Sequence, residues 1–426
     1  MTGAAEKQST MPGHGAEDPS VALCAKYRTG LVILFFLLLI PRYGVVGAIA
    51  PGVKIEELVD FHAFYMVSQM VLRGEAAASY VFQVLFAEPA YAETGTFMPW
   101  TYPPPALLLV APFSLLPTKI AYLIFVTVSL GLFLFVIHRI AGRASGLVLV
   151  AMMPAVLSCL SCGQTGFLAA SLLGLAALGL IEGRSRAGAA LGLLVIKPHL
   201  AITFGLAALT LGRLRFLAVA FAVALAACAA ATLAFGWPIW TAFLGAVADA
   251  KEFLLLGYYP LVRMVSTYAF LKTAGVPAEW ALAAQTVVAI GIAGAILMAV
   301  RLGYTPRQVI GFALMAGVTV SPYAYDYDMP VYAVGLALLI GDLLRWGHRA
   351  EQAAIFALGF FASTYGYGLT LLWGALHRSM DGPGAMPNAP AALAVLAALA
   401  IVVRIMLRAR AGRSAEASAV PVALAA

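Results

Sequence analysis

Charge is what this chain has least of. Only 11% of its residues are Asp, Glu, Lys or Arg, against 63% hydrophobic, far from the roughly half apolar, quarter charged balance of a soluble domain. That imbalance excludes a soluble globular enzyme and points to an integral membrane protein. Cysteine is scarcer still: Cys24, Cys159, Cys162 and Cys228 lie in apolar settings and are too few for a disulfide framework. The stretch "CLSC" has the spacing of a redox or metal pair, but no second pair or neighbouring histidine completes it, so buried thiols are the competing reading. Strand alternation is absent, so helices rather than a barrel must satisfy the backbone in lipid. A Gly-rich phosphate loop and a dense carboxylate cluster are also missing. Neither a nucleotide nor any cofactor is therefore expected, although Asp326 and Asp328 leave a divalent cation open. The net charge of +7 is scattered singly between apolar runs, which argues against a nucleic-acid partner and for insertion topology.

What is present is a succession of apolar runs such as "LVILFFLLLI", "IAYLIFVTVSLGLFLFVI" and "WALAAQTVVAIGIAGAILMAV". The expected spans are 26–49, 119–138, 145–160, 165–181, a short hairpin at 187–211, then 214–235, 279–301, 308–320, 329–344, 352–374 and 389–407. Counting each hairpin arm, that is about 12 crossings of an all-α polytopic bundle. Arg139, Arg143, Arg184, Arg186, Arg213, Arg215, Arg301, Arg307, Arg345, Arg349 and the stretch from Arg404 to Arg413 then mark the cytoplasmic side, with both termini inside. Residues 1–25 and 411–426 read as disordered tails around one transmembrane unit, 26–410. The first run followed by "AIA" imitates a secretory signal, but the long polar lead before it favours a retained helix.

On the outer face this threading gathers most of the polar chemistry. In "VDFHAFYMVSQMVLRGE" (59–75) apolar residues recur at helical spacing, predicting an amphipathic helix along the membrane surface. Asp60 and Phe64 sit one turn apart on its flank, while His62 falls on the apolar stripe and suits packing. The segment "YPPPALLLVAPFSLLP" (102–117), which carries Tyr102, is too short and proline-rich to span and reads as re-entrant or interfacial. In "AGAALGLLVIKPHLAITFGLAALTLG" the Lys-Pro-His break forms a hairpin tip carrying Lys197 and His199. An ionisable group between apolar helices is a functional candidate, with snorkelling to the interface as the alternative for Lys197 and turn-capping for His199. Gln164 in "GQTG" is either a ligand contact or part of a tight turn. "SPYAYDYD" offers Tyr325, Asp326, Tyr327 and Asp328 as substrate contacts or as an interfacial girdle. Arg263 and Lys272 flank "GYYP", whose rings suit either a sugar or the interface.

Taken in order, Asp60 with its aromatics and "RGE", Tyr80, "YPPPALLLVAPFSLLP", "GQTGFLAASLLGLAAL", "AGAALGLLVIKPHL" and "SPYAYDYD" resemble the polyprenyl-phosphate-sugar-dependent glycosyltransferases of the GT-C class, specifically glycosyltransferase family 87. The resemblance covers roughly 55–345. It implies a GT-C-like bundle of about a dozen helices with an outer-face cavity, and an acid in the first outer loop, here Asp60, acting as base. It also implies a membrane-hairpin lysine, here Lys197. The mycobacterial mannosyltransferase of that family carries histidines where Tyr327 and Asp328 stand here, a departure that bears on the sugar or the acceptor taken.

The chemistry suits the residues. A lipid-phosphate sugar already carries a good leaving group, so the enzyme must deprotonate an acceptor hydroxyl and steady the departing phosphate. Asp60 would be the general base. Lys197, with His199, Arg263 and the Gln164 turn, would hold the donor phosphate, and Phe64, Tyr102, Tyr325, Asp326, Tyr327 and Asp328 would contact sugars. The expected activity is inverting transfer of a hexose, mannose first, from a polyprenyl-phosphate donor to a lipid or glycan acceptor at the periplasmic face of the inner membrane. The competing class is a membrane transporter or lipid flippase, which calls for broken or charged helices in paired positions of two halves. No such inverted repeat is found.

Overall fold

The structure, a computed structural model, describes residues 59–88, 97–375 and 387–419. The expected first span at 26–49 and the N-terminal tail lie outside them. Helices dominate and no strand is found among the described residues. In chain order they are α1 Val59–Leu72, α2 Phe82–Phe86, α3 Pro105–Val110, α4 Thr118–Ala141, α5 Ser145–Ala151 and α6 Met153–Cys162. Then follow α7 Gly166–Ile181, α8 Gly188–Leu193, α9 Ile202–Thr210, α10 Leu214–Phe235, α11 Pro238–Leu256 and α12 Thr267–Thr273. The last five are α13 Ala278–Arg301, α14 Pro306–Gly317, α15 Met329–Trp346, α16 Arg349–Ala375 and α17 Ala391–Ala419.

Six helical segments among the described residues are long and apolar enough to cross a membrane, and five shorter apolar ones accompany them. The lower number of full-length spans has a local cause. The stretch expected to cross at 145–160 breaks at Met152, where Pro154 opens a new helix. The 16 residues of α7 rise only about 24 Å at 1.5 Å per residue, against a hydrocarbon core of about 30 Å.

The core helix is α15, packed by α14, α7, α4 and α17. Its span is 83% buried, while α10 and α13 are 17% and 22% buried. Exposed Phe221, Leu225, Leu233, Val287 and Ile290 give those two rim helices an apolar outer face of the kind that meets lipid.

The hairpin at 187–211 is present. Gly188 and Gly192 pack against the backbone of Phe216 and Ala220 near the start of α10, so the chain enters and leaves at the same end. Each arm is interrupted by 3₁₀ turns at Leu194–Ile196 and Pro198–Ala201, with Lys197 between them. From Gly188 an arm of nine residues rises about 14 Å, about half the thickness of a hydrocarbon core.

α1 corrects an expectation. Its apolar stripe, Ala63, Met66, Val67 and Met70, is buried, but so are Asp60, Phe61 and Phe64. The flank meant for solvent is covered because the predicted re-entrant segment, α3 and the turn Ala111–Leu115, folds against it. Ser68 Oγ donates to the Ala111 carbonyl at 2.9 Å and Tyr65 to that of Leu116 at 2.9 Å.

Candidate functional site

A cavity of about 450 Å³ is lined by Asp60, Phe64, Trp100, Tyr102, Gln164, Lys197, His199, Arg263, Ser321, Tyr323, Tyr325 and Tyr327 together with apolar Phe97, Met98, Phe243 and Val247. Nine of the residues singled out by sequence reasoning therefore share one enclosure, drawn from α1, the 97–103 segment, the α6–α7 turn, the hairpin tip, the loop before α12 and the Ser-Pro turn before α15. Lys272 does not line it.

Asp60 is in the first turn of α1, where the helix N-terminus favours an anion. It is 8% exposed. Its buried Oδ2 has no hydrogen-bond partner. Burial raises the carboxyl above its ordinary range, against the opposing pull of the Arg263 guanidinium and of the Gln164 and Cys162 side chains. The result is a carboxylate with an unspent oxygen and a stronger than usual hold on a proton.

Gln164 lies in a tight turn and lines the cavity. Its Oε1 accepts from the Tyr102 hydroxyl at 2.8 Å and from the Thr165 amide at 3.1 Å. The turn that presents it needs two glycines. Gly163 has φ +64°, and a Cβ there would run into Phe61 of α1; a Cβ at Gly166 would run into the Tyr327 carbonyl. The loop, α1 and the Ser-Pro turn are thus in close contact because two side chains are missing.

The acids of the Ser-Pro turn depart from their expected role. Asp326 and Asp328 are 1% and 0% exposed and stand behind the cavity wall rather than on it. Asp326 takes the Arg263 fork, Nε to Oδ2 at 3.0 Å and Nη2 to Oδ1 at 2.7 Å, and accepts from Ser158 Oγ at 2.8 Å. Asp328 pairs with Lys197 Nζ at 2.5 Å, and its other oxygen accepts from the Tyr325 amide at 3.3 Å. The physical reason is charge: two cations buried in the protein require counter-ions, and these carboxylates supply them. Lys197 and Arg263 are thus held inside the protein by ion pairs, which argues against the snorkelling alternative for Lys197.

Tyr325 and Tyr327 do face the cavity, stacked at 5.0 Å and 14°. The Lys197 ammonium lies 5.0 Å from the Tyr327 ring centre and the Arg263 guanidinium 5.6 Å from it. Phe64 packs edge-on against Trp100 and Tyr102 at 5.8 and 5.5 Å. His199 presents a buried Nε2 without a hydrogen-bond partner.

Sequence reasoning missed Ser158, which supports Asp326, and Tyr367 of α16, whose ring lies 5.5 Å from the Arg263 guanidinium. No local pattern marks either one. Cys162 was visible only as half of "CLSC". Its partner in that motif, Cys159, donates instead to the Gln164 carbonyl at 3.5 Å.

The arrangement combines a buried carboxylate with an unpartnered oxygen, two buried cations and aromatic walls around one cavity. A comparison with protein families gives a match to the model of glycosyltransferase family 87 over residues 100–322, a stretch that holds Tyr102, Gln164, Lys197, His199 and Arg263 and ends just short of the two Asp counter-ions. No curated protein and no solved structure matches the chain. With the match spanning more than half of its length, the chain belongs to glycosyltransferase family 87, and it is a membrane glycosyltransferase.

Proposed function

We propose that the protein moves a hexose, mannose in the first instance, from a polyprenyl-phosphate donor to a hydroxyl of a lipid or glycan acceptor at the periplasmic face of the inner membrane, with both termini cytoplasmic. The observation that carries this reading is the buried Asp60 carboxylate, whose Oδ2 has no hydrogen-bond partner in a cavity shared with Lys197 and Arg263. A carboxylate kept so is suited to take a proton.

In one displacement the acceptor oxygen bonds to the anomeric carbon, the bond from that carbon to the phosphate oxygen breaks, and the electron pair leaves with the polyprenyl phosphate. The hydroxyl proton passes to Asp60 Oδ2. Attack opposite the leaving group inverts the anomeric centre. Lys197 and Arg263 lie on the departing side as N–H donors. Because Asp328 and Asp326 already balance their charge, they give directed stabilisation of the phosphate without a large net positive field to retain the product. Stacked Tyr325 and Tyr327 form the face on which a sugar ring rests, and the apolar lining near Phe97, Phe243 and Val247 suits the start of the polyprenyl chain. The reaction needs no resident divalent cation on this reading, since the acids suited to hold one are each tied to a cation.

The test is direct. The full chain in lipid vesicles is offered a panel of labelled polyprenyl-phosphate hexoses with membrane-extract acceptors, with and without chelator. The mannosyl donor should be consumed with inversion and without loss on chelation, and Asp60→Asn should lower turnover about 10²–10⁴-fold. Consumption of no donor, or full turnover by the variant, overturns the proposal.

A further inference from the structure

The rim helix α13 is apolar enough to cross a membrane and only 22% of its span is buried, yet its Gln285 is 3% exposed. A buried amide is costly unless its polar atoms are bonded, and here both are. Nε2 donates to the Thr319 carbonyl at 2.7 Å and to the Val320 carbonyl at 2.8 Å, while Oε1 accepts from the Tyr268 amide at 3.1 Å. Thr286 beside it bonds back to its own helix at Leu282. Gln285 instead ties together two other segments, the first turn of α12 and the chain just past α14. From that tie the two segments run antiparallel to the site. The Val265 amide donates to the Ala324 carbonyl at 2.7 Å, Met264 bridges Tyr325, and the Arg263 fork closes on Asp326. The strip has Gln285 at one end and the arginine of the cavity at the other.

We propose that Gln285 is a positioning residue for Arg263: it sets the register of the arginine loop against the Ser-Pro turn, and so the place of the guanidinium in the cavity. The need is physical. Register is ordinarily pinned by a tight turn or a long patterned ladder, and this strip has neither, only one bridge between segments from distant parts of the chain. A slip of one residue would set Arg263 against Tyr325 or Tyr327 instead of Asp326. Ser266 Oγ already caps α12 from within, accepting from the Ala269 amide at 3.1 Å, so what Gln285 adds is the tie between the segments. It does not itself line the cavity, and its influence must pass along the strip.

This inference rests on Arg263 acting on the donor, but two of its three readings need no substrate. The full chain in lipid is compared with Gln285→Met, whose unbranched side chain fills similar space without the amide. By hydrogen exchange, segments 262–268 and 319–326 should open at least about tenfold faster, with α4 and α10 unchanged. By nitrogen NMR, the Arg263 Nε–H signal, assigned by its absence from Arg263→Lys, should shift and exchange faster. Turnover per folded molecule should fall on the order of 10²-fold, the cost of a small misplacement at the reacting centre. Gln285→Asn, whose amide falls one methylene short, should move all three readings the same way and serves if the methionine variant does not fold. A purely structural glutamine would raise exchange evenly along the chain and leave the Nε–H signal in place. That result, or full turnover in the variants, overturns the proposal. If wild type consumes no donor while the exchange and Nε–H changes hold, the transferase reading falls and the clamp stands.

Discussion

The two ends of α15 are both held by acid–base pairs, and they hold them differently. At its N-terminal end Asp326 and Asp328 meet Arg263 and Lys197, with side-chain exposures of 1% for the acids and 13% and 7% for the cations. At its C-terminal end Asp342 meets Arg413, and Glu351 of the following helix meets Arg404 and Arg408, cations that are 39%, 70% and 30% exposed. Pairs whose cations stay partly in water fasten the last helix to the bundle at less gain and less cost. Sealed pairs give up hydration that their attraction barely replaces. A sequence that keeps two of them beside one cavity is using them for something other than stability.

The largest effect should come from opening a sealed pair on one side. Arg263→Met strands Asp326 at full burial and should cost about 3–5 kcal/mol of folding stability, read as loss of the thermal transition or of folded yield in lipid. Pairing it with Asp326→Leu should recover most of that loss while turnover stays absent. A single variant as stable as wild type would place these groups in contact with water and erase the contrast between the ends.

A smaller, oppositely signed effect is expected at Asp60. Burial raises its pKa in the folded chain, so the folded state holds the proton more tightly than the unfolded chain does. The stabilisation this gives is complete below the unfolded value and is lost as pH rises through the folded one. Asp60→Asn should therefore melt a few degrees above wild type at pH 8, with the gap closing as the medium is acidified. A gap that widens in acid would reverse the assigned direction. The smallest effect belongs to the other end: Arg408→Ala should leave turnover within about twofold of wild type, measured beside the same donor panel.

Much of this molecule is legible in its sequence for physical reasons. Helix limits at 214–235 and 278–301 follow the apolar runs closely because nothing interrupts them. Lys197 stands out because proline and charge in one apolar run admit few structures, and the hairpin is the one adopted. Asp326 and Asp328 were visible as a dense acidic turn but not as counter-ions, since pairing depends on which cations the fold brings near. The burial of α1 was hidden for a similar reason. Its periodicity describes one face, while the cover on the other comes from a segment more than thirty residues away. Ser158 and Tyr367 carry no mark at all, being an ordinary serine and tyrosine in apolar helices.

Both acidic counter-ions arrive late in the chain. Asp328 is 131 residues beyond Lys197, and Asp326 is 63 beyond Arg263 and 168 beyond Ser158. During synthesis the hairpin and the arginine loop must wait, unpaired, until the turn before α15 has emerged. Contacts of such separation form slowly because the intervening chain must first be closed into a loop. An unfinished or truncated copy thus lacks the two counter-ions along with the completed cavity wall, and the same turn that finishes the folding finishes the enzyme.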